Sequence, residues 1–225
     1  MGNKTFTKHI QQLKDSLQQR LLLPLPGISG QKLMLPMGRV IDDYESQSVY
    51  ARPSAVLLML YPSSRGASIL LIKRTEDGKA HSGQISFPGG KFEEADQELI
   101  YTALRETHEE IGIQVASSEV MGRLSPLFIP VSQFKVHPFV AVLDDLPKLH
   151  PNPREVENVL ALPLRDLLST DTKTIARITS PTQPGFVRKV PAYQLENGDV
   201  VWGATAMILA ELETILTEIN LSHII

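Results

Sequence analysis

The chain has no cysteine among its 225 residues, so disulfides and thiolate metal ligands are excluded, and the composition suits a reducing compartment. A charge imbalance is missing too. Lys and Arg number 22 against 25 Asp and Glu, and a net charge of −3 is too small to draw the molecule to nucleic acid or to a membrane surface. Any anionic ligand must therefore be held by local charge. No apolar run approaches the ~20 residues of a membrane-spanning helix, and the polar stretch Met1–Ile10 lacks the apolar core of a signal peptide. There is no internal repeat and no low-complexity segment. The expectation is a cytoplasmic protein with no nucleic-acid or membrane partner, long enough for one sizeable core with or without extensions.

What the sequence does have is acid in one place. From Phe87 to Ile113 it reads FPGGKFEEADQELIYTALRETHEEIGI. At 3.6 residues per turn a helix over Gln97–Ile111 puts Ile100, Ala103, Leu104, Thr107 and Ile111 on one mostly apolar stripe, the face for the core. Glu106 and Glu110 then lie one turn apart at the edge of that stripe, and Glu109 lies three residues from Glu106 on the adjoining face. Like charges at this spacing repel. Gly112 reads as the residue just past the helix end, so Glu109 and Glu110 sit where the macrodipole is already negative and cations are preferred. Two readings fit: a solvated acidic surface, or hard oxygen ligands clustered for Mg²⁺ or Mn²⁺. Ahead of the helix, Gln84–Phe87 alternates like a half-buried strand, and the Gly89-Gly90 turn after it lets backbone approach a ligand or metal closely.

This order of strand, glycine turn and acidic helix resembles the Nudix hydrolase motif, carried here by Gly90, Arg105, Glu106, Glu109, Glu110 and Gly112. The glycine-to-arginine spacing is one residue longer than the general motif, and Asp96 stands for the first motif glutamate, as in the coenzyme A pyrophosphatase branch. Upstream, Leu70-Leu71-Ile72-Lys73-Arg74-Thr75, then Lys79, His81 and Gly83, then Phe87-Pro88-Gly89-Gly90, resembles that branch's own signature. Ile72, Thr75 and Lys79 depart from its usual residues, and Lys79 lacks the bidentate geometry of an arginine. The likeness continues through Glu155-Val156 and Val201–Ala206 and so covers most of the chain.

The resemblance implies an α/β fold, a Nudix-type α/β/α sandwich with a mixed sheet, in which residues 1–50 form an N-terminal helix and irregular extension and residues 51–225 the Nudix domain. It implies a cofactor, Mg²⁺ or Mn²⁺, held by Glu106 and Glu110 with the Gly90 carbonyl. Glu109 is a further ligand or the general base, and Arg105, four residues before Glu109, orients the carboxylates. The partner is a small nucleotide substrate of coenzyme A type, approached by Arg74, Lys79, His81, Gly83 and Gly89. Arg74, Lys79 and His81 supply positive charge for the extra phosphate, or are ordinary solvated loop residues. The same motif serves hydrolases of ADP-ribose, dinucleotides and nucleoside triphosphates, while catalytically silent modules usually lose motif glutamates; here all three remain.

Along the chain, a helix over Phe6–Leu21 carries Phe6, Ile10, Leu13, Leu17 and Leu21 on one stripe, which docks within the chain or on a second subunit of a homodimer. Leu22–Arg39 reads as an irregular connection in which Leu25, Ile28, Leu33 and Met34 want burial, and Asp42–Arg52 as surface. Ala55–Tyr61 and Ile69–Ile72 read as central strands covered on both faces. Met121–Ile129 and Val136–Leu143 are strands that Pro126 and Pro138 place at edges or breaks. Asn158–Leu162 is a strand, with Pro163 opening a short helix. Strand pieces follow at Phe186–Val190, Ala192–Leu195 and Val200–Trp202 with a hairpin turn at Asn197-Gly198, then a helix over Ala204–Ile219. Tyr193 and Trp202 suit base stacking or core packing, and Glu155 and Glu157 are surface charges or a fourth carboxylate for the site.

Overall fold

A computed structural model describes residues 3–36, 48–76, 82–180 and 183–219. The Phe6 side chain and residues 37–47, with most of the expected Asp42–Arg52 surface stretch, lie outside the described residues. The chain opens with α1 (Asn3–Leu21) and the single turn α2 (Ile28–Gln31). Strands β1 (Arg52–Ser63) and β2 (Gly66–Arg74) then form a hairpin. Along β1, Ala55, Leu57 and Met59 alternate with Leu58 and Leu60 between two core clusters on opposite faces, all fully buried, as the unbroken apolar run predicts.

Beyond the turn these two strands splay apart, and the fork is what builds the site. Strand β3 (Ile85–Ser86) pairs with β2 and β4 (Gly89–Lys91) pairs with β1. The other edge of β2 is taken by β8 (Val156–Pro163), and the other edge of β1 by β7 (Phe134–Val142), which runs parallel to it. Residues Ile85–Lys91 are therefore wedged between β1 and β2. The expected Gly89-Gly90 turn is strand, because it must satisfy its backbone inside a sheet.

With β5 (Val120–Arg123) and β6 (Leu127–Ile129) on β7, this makes a mixed eight-stranded sheet among the described residues. Pro138 sits inside β7, not at an edge. Its carbonyl accepts from Leu124 in the gap between β5 and β6, so the N–H it lacks falls where the neighbouring strand is broken.

One face is covered by α3 (Leu99–Ile111), which begins two residues later than the spacing predicts. Glu94–Asp96 is a separate 3₁₀ turn and Gln97 has φ 62°, so the helix starts only after that kink. Gly112 closes it in the left-handed conformation, φ 75°. The other face is covered by α1, the short α4 (Leu164–Leu168) and α5 (Gly203–Glu218). This is the α/β/α sandwich with a mixed sheet. Pro163 ends β8 and caps α4 instead of opening it.

A second sheet holds β9 (Lys173–Ser180), β10 (Gln183–Gln194) and β11 (Val200–Trp202). The sequence gives no expectation of β9, whose residues alternate too weakly, and the two expected pieces of β10 are one strand. In the connection after α1, Met34 is buried and Leu25 half-buried, but Ile28 and Leu33 are exposed. Gln31 takes the interior place. It donates to Glu211 on α5, a fully buried carboxylate that also accepts the backbone N–H of Gly27 and Ser125.

Candidate active site

The fork brings β4 under α3, and the two glycines are needed for different reasons. A Cβ on Gly89 would stand 2.3 Å from the Ala55 carbonyl oxygen in β1, and Gly89 has φ +149°. On Gly90 it would stand 2.4 Å from the Glu106 carboxyl carbon. Gly89 lets the strand pair; Gly90 lets the carboxylate lie against the backbone.

Glu110 sits on the core face of α3, not at its edge, with its side chain 1 % exposed. The Gly89 N–H donates to its Oε2 at 2.9 Å and Arg74 Nη1 to its Oε1 at 2.9 Å. Burial pushes its carboxyl up to about 7, against the lowering pull of the Gly89 N–H and of Arg74. Glu106, mostly buried, accepts from Arg105 Nη1 at 3.0 Å, and burial again raises its pKa above the ordinary carboxylate value. Glu109 is over half exposed and touches Arg105 Nη1 at 3.2 Å through Oε2.

Arg105 reaches both of those glutamates, but its firm attachment is elsewhere. Its Nε and Nη2 grip the two oxygens of Asp96 at 2.7 and 3.0 Å, and Nη2 also donates to the Lys91 carbonyl. Asp96 is buried and accepts further bonds from the Glu93 N–H and the Thr102 hydroxyl. The Arg105 guanidinium, with those bonds, holds its carboxyl far below the usual range. Periodicity does not reveal this anchor, since Asp96 precedes the helix. One local signal does: Glu93 and Asp96 form a capping box, a pattern of spacing three.

Of the two carboxylates left open by the sequence, Glu155 is the nearer to the site, its carbonyl accepting from the Thr75 N–H next to Arg74. Its charge raises the pKa of both Glu106 and Glu110, and its Oε1 accepts from Asn152. Glu157 is paired with Lys73 at 3.2 Å. Gly83, φ +68°, stands in the turn leading to β3, its N–H bonded to the Thr75 carbonyl. Lys79 and His81 lie outside the described residues. The N–H of Gly89, expected at the substrate, is used by Glu110. Tyr193 is fully buried with its hydroxyl on Glu213, and Trp202 packs on the small cluster of the second sheet.

The donor set consists of carboxylate oxygens, which fits a hard divalent cation; the Gly90 carbonyl expected beside them is turned to β1, because Gly90 pairs with Ala55 in the register that the bond from the Leu57 N–H to the Pro88 carbonyl sets. Among the described residues no three His, Asp or Glu side chains are grouped to grip an ion as they stand. Arg74 and Arg105 hold these carboxylates instead. A groove of about 590 Å³ between Phe92, Leu99, Ile100, Arg123 and Phe139 lies at the opposite end of α3 and includes none of the three glutamates.

The NUDIX domain family matches residues 51–182, more than half of the chain, and the chain belongs to that family. It is a Nudix hydrolase of a nucleoside diphosphate-linked substrate, a class that generally uses divalent metals. Among its relatives is the mitochondrial coenzyme A diphosphatase of Homo sapiens, 39 % identical over 163 residues, covering 70 % of this chain and 67 % of that protein. Nudix hydrolase 22, chloroplastic, of Arabidopsis thaliana is 34 % identical over 171 residues, covering 73 % of this chain. The match spans only 55 % of the plant protein's length. Among solved structures, a MutT/nudix family protein from Enterococcus faecalis superposes with a TM-score of 0.50 at 12 % identity, over 74 % of this chain and 62 % of that one, and shares the fold.

Proposed function

We propose that the chain hydrolyses the diphosphate of coenzyme A or an acyl-coenzyme A, giving 3′,5′-ADP and a 4′-phosphopantetheine. The observation that carries the hydrolytic reading is the buried Glu110 and the partly buried Glu106 against the glycine strand β4. The coenzyme A reading is supported by the Arg74–Gly90 signature and by the name of the human relative. Glu106 and Glu110 would hold the cation, with Glu109 beside them. When bound, Mg²⁺ or Mn²⁺ neutralises phosphate oxygens and makes a water nucleophilic at neutral pH.

The protein's own part is positioning. Gly89 fixes one oxygen of Glu110, Asp96 fixes Arg105, and Arg105 fixes Glu106 and one oxygen of Glu109. The second oxygen of Glu109 is left to accept a proton from the attacking water. With Arg74 bonded to Glu110, the reading gives the 3′-phosphate of coenzyme A to Lys79 and His81.

Product analysis by chromatography tests this. Coenzyme A is expected to be cleaved with a higher kcat/KM than dephospho-coenzyme A, by about ten- to a hundredfold for a charge-assisted contact of roughly 1.5–3 kcal/mol. Lys79→Ala is expected to narrow that gap, and Glu106→Gln to remove most turnover while the protein stays folded. A higher kcat/KM for ADP-ribose or a dinucleotide would sink the coenzyme A assignment.

A further inference from the structure

The two guanidinium groups at the site are not held alike. Arg105 keeps its bidentate grip on Asp96 and its bond to the Lys91 carbonyl whatever happens to Glu106 and Glu109, because Nε and Nη2 make those contacts and Nη1 alone reaches the glutamates. Among the described residues Arg74 has no such second anchor: its side chain bonds Glu110 alone, and it is one third exposed.

Glu110 itself has no oxygen to spare. Its Oε2 is taken by the Gly89 N–H, which strand pairing holds in place, and its Oε1 by Arg74. With the side chain 1 % exposed, a cation that comes to Oε1 competes with the Arg74 charge already bonded there. The backbone of Arg74 is fixed at the end of β2, its N–H bonded to the Gln84 carbonyl and its register set by Val156, so a released side chain swings without leaving the site.

We propose that Arg74 is an internal counter-cation that a divalent ion displaces from Glu110, and that the displaced guanidinium then binds the diphosphate of the substrate. The inference rests on the hydrolase reading above and deepens it. Each charge keeps a partner throughout: the buried carboxylate exchanges a monovalent partner for a divalent one, and the guanidinium exchanges a carboxylate for a phosphate, which its planar fork fits equally well. Metal and diphosphate therefore bind with positive coupling, and linkage makes that coupling reciprocal.

Calorimetric titration of the full chain with MnCl₂, without nucleotide, reads the first half. Arg74→Gln is expected to bind Mn²⁺ about fivefold or more tightly than wild type, since the competitor is gone, while Arg74→Lys stays near wild type. ADP titrated in saturating Mn²⁺ reads the second half, with Arg74→Gln expected to bind it about tenfold more weakly. On unmodified protein, the Nε–H resonances of the arginines report the exchange directly: adding Mg²⁺ moves the Arg74 signal and leaves that of Arg105 in place. Equal Mn²⁺ affinity in wild type and Arg74→Gln, or an Arg74 signal that Mg²⁺ does not move, overturns the proposal. Displacement of Arg74 without cleavage of coenzyme A upholds it and overturns the substrate assignment instead, whereas wild type that binds no Mn²⁺ overturns both.

Discussion

Asp96 shows how much of the site rests on a residue that need touch neither metal nor substrate. Four donors converge on it, two of them from Arg105, and its side chain is 3 % exposed. Breaking a fully buried ion pair costs about 3–5 kcal/mol, and with Arg105 one quarter exposed, Asp96→Asn is expected to cost about 2–3 kcal/mol. Thermal unfolding would read this as a Tm lower by roughly 5–10 °C. Because folding lowers this carboxyl's pKa, its stabilisation is fully present above the ordinary value of 3.8 and is lost as the pH falls below it. The Tm difference between wild type and Asp96→Asn is therefore expected to shrink below about pH 4; a difference that persists there would mean the loss is steric. The residue types at the site were legible in the sequence, since three glutamates and an arginine in one motif leave few alternatives. Which carboxylate each guanidinium holds was not, because that depends on burial and on the chain segment that passes opposite.

At the scale of elements, the feature that matters is the fork between β1 and β2 with β4 wedged into it. It gives the two glycines separable consequences. In Gly90→Ala the new methyl meets the far end of the Glu106 side chain, which can swing away, so stability changes little while Glu106 loses its position. A misplaced ligand is expected to cost about a hundredfold in kcat. In Gly89→Ala the methyl meets the Ala55 carbonyl and the Val56 backbone, which cannot move without breaking β4 from β1. An expected loss of about 1–3 kcal/mol follows, read by denaturant titration. Equal stability of the two variants would contradict the wedge. The strand–glycine–helix order was readable from alternation and helical period, but the glycines looked like a turn, since nothing local says that β1 and β2 diverge around them.

At the scale of the molecule, α1 and the connection after it are part of the core. Ile10, Leu13 and Leu17 are buried to 3 %, 0 % and 0 % exposure, and at about 1.5–3 kcal/mol for each buried side chain their contribution approaches the stability of a typical domain. Removing residues 1–21 is expected to give insoluble or partly unfolded protein, and Leu13→Ala alone to cost about 2–5 kcal/mol. Solubility and a melting curve check both, and a truncated chain as heat-stable as the full one would show the helix to be dispensable. The buried Glu211 latch ties the same connection to α5 and to the break between β5 and β6.

The sequence by itself determined the class of the molecule. Period-3.6 and unbroken apolar runs set α1, α3, α5, β1 and β2, because burial selects those patterns residue by residue, and the acidic motif left a solvated acidic face or a cation site, because like charges at a helix end call for water or a cation to compensate them. Tertiary structure alone decided that β9 pairs where its own residues alternate weakly, that Gln31 and not Ile28 or Leu33 goes inside, and that Glu110 is the buried member of the acidic cluster. Such choices depend on what lies across the sheet from each residue. That partner comes from far along the chain, and no local pattern encodes it.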